Sequence, residues 1–211
     1  MNGKAIWAAA TAAAISTAAV LTIGCDSAPS TTATADTTTA SDATGDTAAC
    51  PFTYTGVGTG NIVINEVQGK VDDWVELHNK GTTTASLSGY TLSDGNAESC
   101  PDLGEALTFP ADATIAAGGY LLIEAGKKTP EIGITTKCIA GGPETCYQAA
   151  FKLSAGGGDQ VFLLQGKNVI DSVQIPAGVL LDGTQTYGRV PNGTGAFKAA
   201  SPTPGFANKA L

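Results

Sequence analysis

Two carboxylates, Glu66 and Glu76, stand in neighbouring apolar runs, Ile62-Val63-Ile64-Asn65-Glu66-Val67 and Trp74-Val75-Glu76-Leu77-His78. If those runs pair as antiparallel strands, the two acids come close enough to share a proton or to act as acid and base. A hydrolytic site needs more than that: a nucleophile, a base held by an orienting group, and donors for a developing oxyanion. His78 is the single histidine, so any Ser-His-Asp triad depends on it and no multi-histidine metal site can form. No Gly-x-Ser-x-Gly elbow is present, and Gly156-Gly157-Gly158 lacks the Gly-Lys-Ser/Thr of a phosphate loop, so it reads as a turn. The two glutamates are therefore expected to be structural, capping backbone N–H groups inside a fold. No catalytic residue and no cofactor is expected.

Hard oxygen ligands are the other chemistry on offer. Asp94, Asn96 and Glu98 alternate, and Asp72 and Asp73 are adjacent, which raises calcium as a candidate. A helix-loop-helix calcium site would add a bidentate Glu at fixed spacing, which is missing, so a polar turn built on Asp-Gly and Asn is the preferred reading. Cys50, Cys100, Cys138 and Cys146 lack the closely spaced pairs of a four-thiolate zinc site. Two disulfides are expected instead. Of the three connectivities that four cysteines allow, the favoured one joins Cys138 to Cys146 around Gly141-Gly142-Pro143 and Cys50 to Cys100.

Disulfides require an oxidising compartment, and the N-terminus supplies the route to one. Lys4 precedes an uncharged apolar stretch, Ala5 to Ile23, and small residues follow, the pattern of a secretory signal. The stretch ends in Leu21-Thr22-Ile23-Gly24-Cys25, which resembles the bacterial lipobox, although Thr22 and Ile23 depart from its usual residues. The resemblance implies cleavage after residue 24 and acylation of Cys25; the alternative is an uncleaved N-terminal anchor. Residues 26–49 are almost wholly Ser, Thr, Ala, Asp and Gly, with no aromatic residue. Such a segment cannot repay the entropy of folding and is expected to be a disordered tether, or an O-glycosylated stalk. The organisation is thus a signal peptide at 1–24, a tether at 25–49 carrying lipidated Cys25, and one domain at 50–211.

The chain carries 11 basic against 19 acidic residues, a net charge of −8. That balance argues against a nucleic-acid partner. After Cys50, short apolar runs alternate with Gly, Asn, Asp and Pro at intervals of about 8 to 12 residues, the signature of an all-β sandwich or barrel. The expected strands are Ile62 to Val67, Trp74 to His78, Ser86 to Leu92, Tyr120 to Glu124, Asp159 to Leu164, Val169 to Val173 and Thr186 to Val190. Gln165-Gly166-Lys167-Asn168 joins two of these as a hairpin. Trp74 and Tyr90 are expected in the core, and burying either ring is worth roughly 2–3 kcal/mol. Pro202 and Pro204 exclude a central strand at the C-terminal end.

Several of these segments together resemble the bacterial branch of the lamin tail domain family. They are Ile62 to Val67, Asp73-Trp74-Val75-Glu76-Leu77-His78-Asn79, Leu87 to Asp94, Tyr187-Gly188-Arg189-Val190-Pro191-Asn192-Gly193 and Thr203-Pro204-Gly205-Phe206-Ala207-Asn208. The resemblance runs from Asn61 to Asn208 and departs in two inserts, Glu98 to Leu107 and Thr135 to Ala150. It implies an immunoglobulin-like β-sandwich in which Glu66, Trp74, Glu76 and Tyr90 belong to fold-defining motifs. Arg189, the sole arginine, is expected to bridge backbone carbonyls near the domain's end. The function expected is a non-enzymatic interaction or adhesion module, lipid-anchored in the bacterial cell envelope at the outer membrane, its periplasmic face or the cell surface, with an envelope protein or polysaccharide as partner. The alternatives are an accessory domain of a secreted nuclease or phosphoesterase system and a calcium-stabilised structural surface protein.

Overall fold

The computed structural model describes residues 50–95, 100–127, 134–135, 138–154, 156–179 and 183–211. The signal peptide 1–24, Cys25, the tether and the calcium candidates Asn96 and Glu98 lie outside the described residues. Among the described residues the regular structure is all strand: β1 (Thr53–Tyr54), β2 (Ile62–Gln68), β3 (Trp74–Asn79), β4 (Ala85–Ser86), β5 (Tyr90–Asp94), β6 (Leu107–Thr108), β7 (Thr114–Ile115), β8 (Tyr120–Glu124), β9 (Ile134–Thr135), β10 (Cys146–Gln148), β11 (Asp159–Gln165), β12 (Asn168–Ile175), β13 (Thr186–Val190), β14 (Ala196–Ser201) and β15 (Lys209–Ala210).

These strands form a five-stranded sheet ordered β1-β12-β11-β5-β6, an eight-stranded sheet ordered β15-β14-β13-β2-β3-β8-β10-β9, and a small β4-β7 pair. Most pairings are antiparallel, whereas β1 with β12 and β10 with β8 are parallel. Ile62, Ile64, Val67, Val75 and Leu77 of the larger sheet share one core with Leu92, Val161, Leu163, Val173 and Ile175 of the smaller one, and Phe151 is fully enclosed with them. This is a sandwich, two sheets whose inner faces interdigitate. The β11–β12 hairpin turns at Gly166, with φ of 60°. A two-residue hairpin loop demands that left-handed conformation, which glycine adopts without penalty.

The expected strand Ser86 to Leu92 is two elements. β4 ends at Ser86, the Tyr90 N–H donates to the Leu87 carbonyl at 2.9 Å, and Gly89 sits at φ 77°. Serine and glycine there close a turn that carries the chain from the β4-β7 pair to β5, so the expected single strand serves two sheets. Tyr90 is only half-buried, packing against the rim of the core. Trp74 is buried at 3 % exposure, but outside the main core. It lies on the other face of the large sheet with Leu122 and Cys146.

β2 and β3 are buried along their whole length, on both faces. On the face away from the core, Glu66, Gln68, Trp74, Glu76 and His78 stand beside Tyr120, Leu122 and Glu124 of β8. The two disulfides join Cys50 to Cys100 and Cys138 to Cys146, with Cα separations of 5.8 and 5.9 Å. The first pins the domain's entry segment, where Phe52 packs over Phe162, Leu164 and Val169 on the outside of the small sheet.

Candidate functional site

The position of the paired glutamates follows from one irregularity in β2. The pairing of β2 with β3 slips between Ile64 and Glu66, leaving Asn65 as the extra residue of a bulge. Strict alternation after Ile62 and Ile64 would send Glu66 into the apolar core. The bulge turns it to the other face, directly opposite Glu76, and returns Val67 to the core. A charge in the core would cost several kcal/mol, so the register and the bulge are set together.

Both carboxylates are fully enclosed, and donors from the fold meet all four of their oxygens. Glu66 Oε1 accepts from the Thr186 hydroxyl and, at 3.2 Å, from the Thr203 N–H, while Oε2 accepts from the Thr203 hydroxyl at 2.8 Å. Glu76 Oε1 accepts from the Asn65 amide at 2.8 Å, and Oε2 accepts from the Gly205 N–H at 2.6 Å. Asparagines complete the cluster. Asn208 donates to the carbonyls of Asn65 and Arg189 at 2.8 and 3.0 Å. Asn65 Oδ1 accepts from the Gly193 N–H at 2.9 Å, and Asn192 Oδ1 from the Asn208 N–H at 3.1 Å.

Burial dominates the electrostatics. It raises the Glu66 carboxyl above its usual range, against the Thr186 and Thr203 bonds. It pushes Glu76 up to about 8, opposed by Asn65 and Gly205 and reinforced by the charge of Glu66. Burial also lowers His78, whose Nδ1–H donates to the Gly119 carbonyl at 3.0 Å and whose ring stacks on Tyr120 at 4.6 Å. The imidazole is thus a neutral packing element, closed over by Gly193.

Arg189 bridges the Ile64 and Gly195 carbonyls at 2.9 and 3.2 Å, and it also forms an ion pair with Asp171 at 2.9 Å. The aspartate is a residue that sequence reasoning missed, although in Val169 to Val173 it shares the phase of the two valines, where alternation places a buried side chain. It is wholly buried, and burial raises its pKa against the pull of Arg189. Asp94 is half-buried at the end of β5 and pushed up to about 6, first by desolvation and then by Asp159. Among the described residues, no three His, Cys, Asp or Glu side chains gather as metal ligands would.

The glycine of Tyr187-Gly188-Arg189 has a specific cause. A Cβ at Gly188 would stand 2.8 Å from Asn208 Nδ2 and 3.4 Å from Glu66 Cγ. Gly188→Ala is therefore expected to displace Asn208 and cost about 1–3 kcal/mol, as overpacking does. The midpoint of urea unfolding measures it, and an unchanged midpoint would show that the cluster has room to give.

Two sheets closed over one core and braced by a buried polar cluster define an immunoglobulin-like sandwich whose paired glutamates are hydrogen-bonded within the fold. The family model of the lamin tail domain matches residues 57–177, more than half of the chain, and the chain belongs to that family. The match ends before β13, so the motifs at 187–193 and 203–208 lie beyond the matched residues, although their side chains complete the cluster around Glu66 and Glu76. No curated protein matches the chain.

Proposed function

We propose that this protein is a non-enzymatic interaction module, held on a bacterial envelope by acyl chains on Cys25, with an envelope protein or polysaccharide as its partner. The observation that carries the reading is the engagement of Glu66 and Glu76. Every carboxylate oxygen of the pair accepts a hydrogen bond from the fold itself, so neither acid has a free face for a substrate. Loops on a rigid sandwich are the usual place for binding residues, and the mild excess of acid disfavours polyanions. Acyl chains contribute about 0.8 kcal/mol per buried methylene, so two or more anchor a protein stably where one does not.

Radiolabelled palmitate is expected to enter the wild-type chain in cells and not Cys25→Ser; label retained by the variant overturns the anchor. For the module itself, the purified full chain is expected to sediment with envelope polysaccharide or envelope protein fractions and to hydrolyse no phosphodiester with divalent metal present. Metal-dependent hydrolysis that Glu76→Gln abolishes, with the fold retained, would replace this reading by that of a hydrolase accessory domain.

A further inference from the structure

The five donors that meet the glutamate pair come unequally from the molecule. The Asn65 amide and the Thr186 hydroxyl belong to β2 and β13. The other three, the Thr203 N–H, the Thr203 hydroxyl and the Gly205 N–H, belong to the short segment between β14 and β15. That segment is no part of a ladder: Pro202 and Pro204 carry no N–H, Gly205 turns at φ 87°, and Phe206 is 67 % exposed. Its remaining ties also end on the cluster, from the Asn208 side chain to the Asn65 and Arg189 carbonyls and from the Asn208 N–H to Asn192.

We propose that residues 203–208 form a clasp that opens locally while the sheets stay folded, and that ionisation of the buried glutamate pair opens it. Closure removes both carboxyls from water; opening returns them to it. The sign follows from burial. Burial pushes the Glu76 carboxyl up to about 8 when closed, against its ordinary 4.5 in water. Closure is therefore fully favoured below the solvated value and loses that advantage as pH rises through the closed-state value. Within that window the opening equilibrium increases by up to about tenfold per pH unit for one titrating group.

Glu66 faces Glu76 across the β2–β3 pair, and its charge adds to the effect. On the flanking strands β14 and β15, Lys198 and Lys209 are exposed to solvent, and the ionisable groups nearer the pair are engaged within the fold. On β3, His78 is stacked on Tyr120. On β8, the Tyr120 hydroxyl accepts from Asn192, and Glu124 is paired with Lys127. On β13, Arg189 is paired with Asp171. Through Pro204 the clasp also bounds a cleft of about 330 Å³, beside the adjoining Pro202 and facing Trp74, Ile139 and Val71. Opening removes that wall, so the cleft's shape changes with the charge of the pair.

Amide hydrogen exchange of the full chain between pH 5 and 8.5, corrected for the intrinsic rate, tests this. The Thr203 and Gly205 amides are expected to be less protected than those of β11, and their opening equilibrium to rise up to about tenfold per pH unit. In Glu76→Gln the slope is expected to flatten, with β11 protection in the same spectra reporting that the domain is folded. Clasp amides protected to the same degree as β11 at every pH would overturn local opening. A flat wild-type profile, or an unchanged slope in the variant, would overturn control by the pair, and the wild-type series decides this even if the variant does not fold.

Discussion

Arg189→Ala is expected to destabilise the domain by about 3–5 kcal/mol, the cost of leaving a buried charge without its partner. The abandoned charge is Asp171, wholly buried on β12, while Arg189 reaches it from β13 in the other sheet. The pair therefore ties the two layers together. It also stands in for a missing strand. β13 pairs with β2 at Val67 and Glu66, and beyond the bulge the Ile64 N–H donates instead to Asp171 at 2.7 Å while the Ile64 carbonyl accepts from Arg189 at 2.9 Å. The guanidinium further lies over the Phe197 ring at 4.4 Å.

Alanine removes all of these at once, whereas Arg189→Lys keeps a charge but loses the fork that serves two carbonyls and a carboxylate together. The lysine variant is expected to fall between wild type and alanine. Adding Asp171→Asn to Arg189→Ala is expected to recover part of the loss, because the orphaned charge is gone even though the bonds to Ile64 are weakened. Urea unfolding midpoints measure the series. A loss for Arg189→Ala below about 1 kcal/mol would place the pair among ordinary surface ion pairs and refute the argument.

The same region shows how far a sequence can be read. Short alternating runs with turn residues between them specify strands locally, and Trp74 to His78 forms one because its period of two is unbroken. Its outward side chains are covered by distant segments, Trp74 by Leu122 and Cys146, His78 by Tyr120 and Gly193 and Glu76 by Gly205, a cover whose arrival depends on the whole topology and leaves no trace in the strand itself. The engagement of Glu76 by Gly205 was therefore not legible from the residues around Glu76. The bulge was closer to the surface of the sequence: apolar residues at 62 and 64 are followed by one at 67 and not at 66, and that skipped beat is what an extra residue produces. Asp171 stands in the phase of Val169, Val173 and Ile175, so it marks a buried polar position, but nothing local names Arg189, eighteen residues on, as its partner. The break at Gly89 also left a mark, since the apolar phase shifts from Leu87 to Tyr90 and Leu92 across Ser88-Gly89.

Replacing Cys50 and Cys100 together by serine is expected to cost about 4 kcal/mol, against about 2.5 kcal/mol for Cys138 and Cys146, since loop-closure entropy grows with the logarithm of the loop. The first bond closes a separation of 50 residues and the second one of 8. The longer loop has a further consequence. Cys50 fixes the start of the segment that lays β1 along β12 and Phe52 over Phe162, so cutting it frees apolar surface as well as chain. Thermal unfolding of the two double variants is expected to differ in that order, with the first lowered by about 10 °C or more. Equal losses would show that the entry segment holds without its covalent pin. If the order holds, a reducing compartment deprives the domain of a large part of its margin, which for small domains is about 5–15 kcal/mol in all. Stable folding then depends on oxidation of both pairs, the condition of the compartments where disulfides persist.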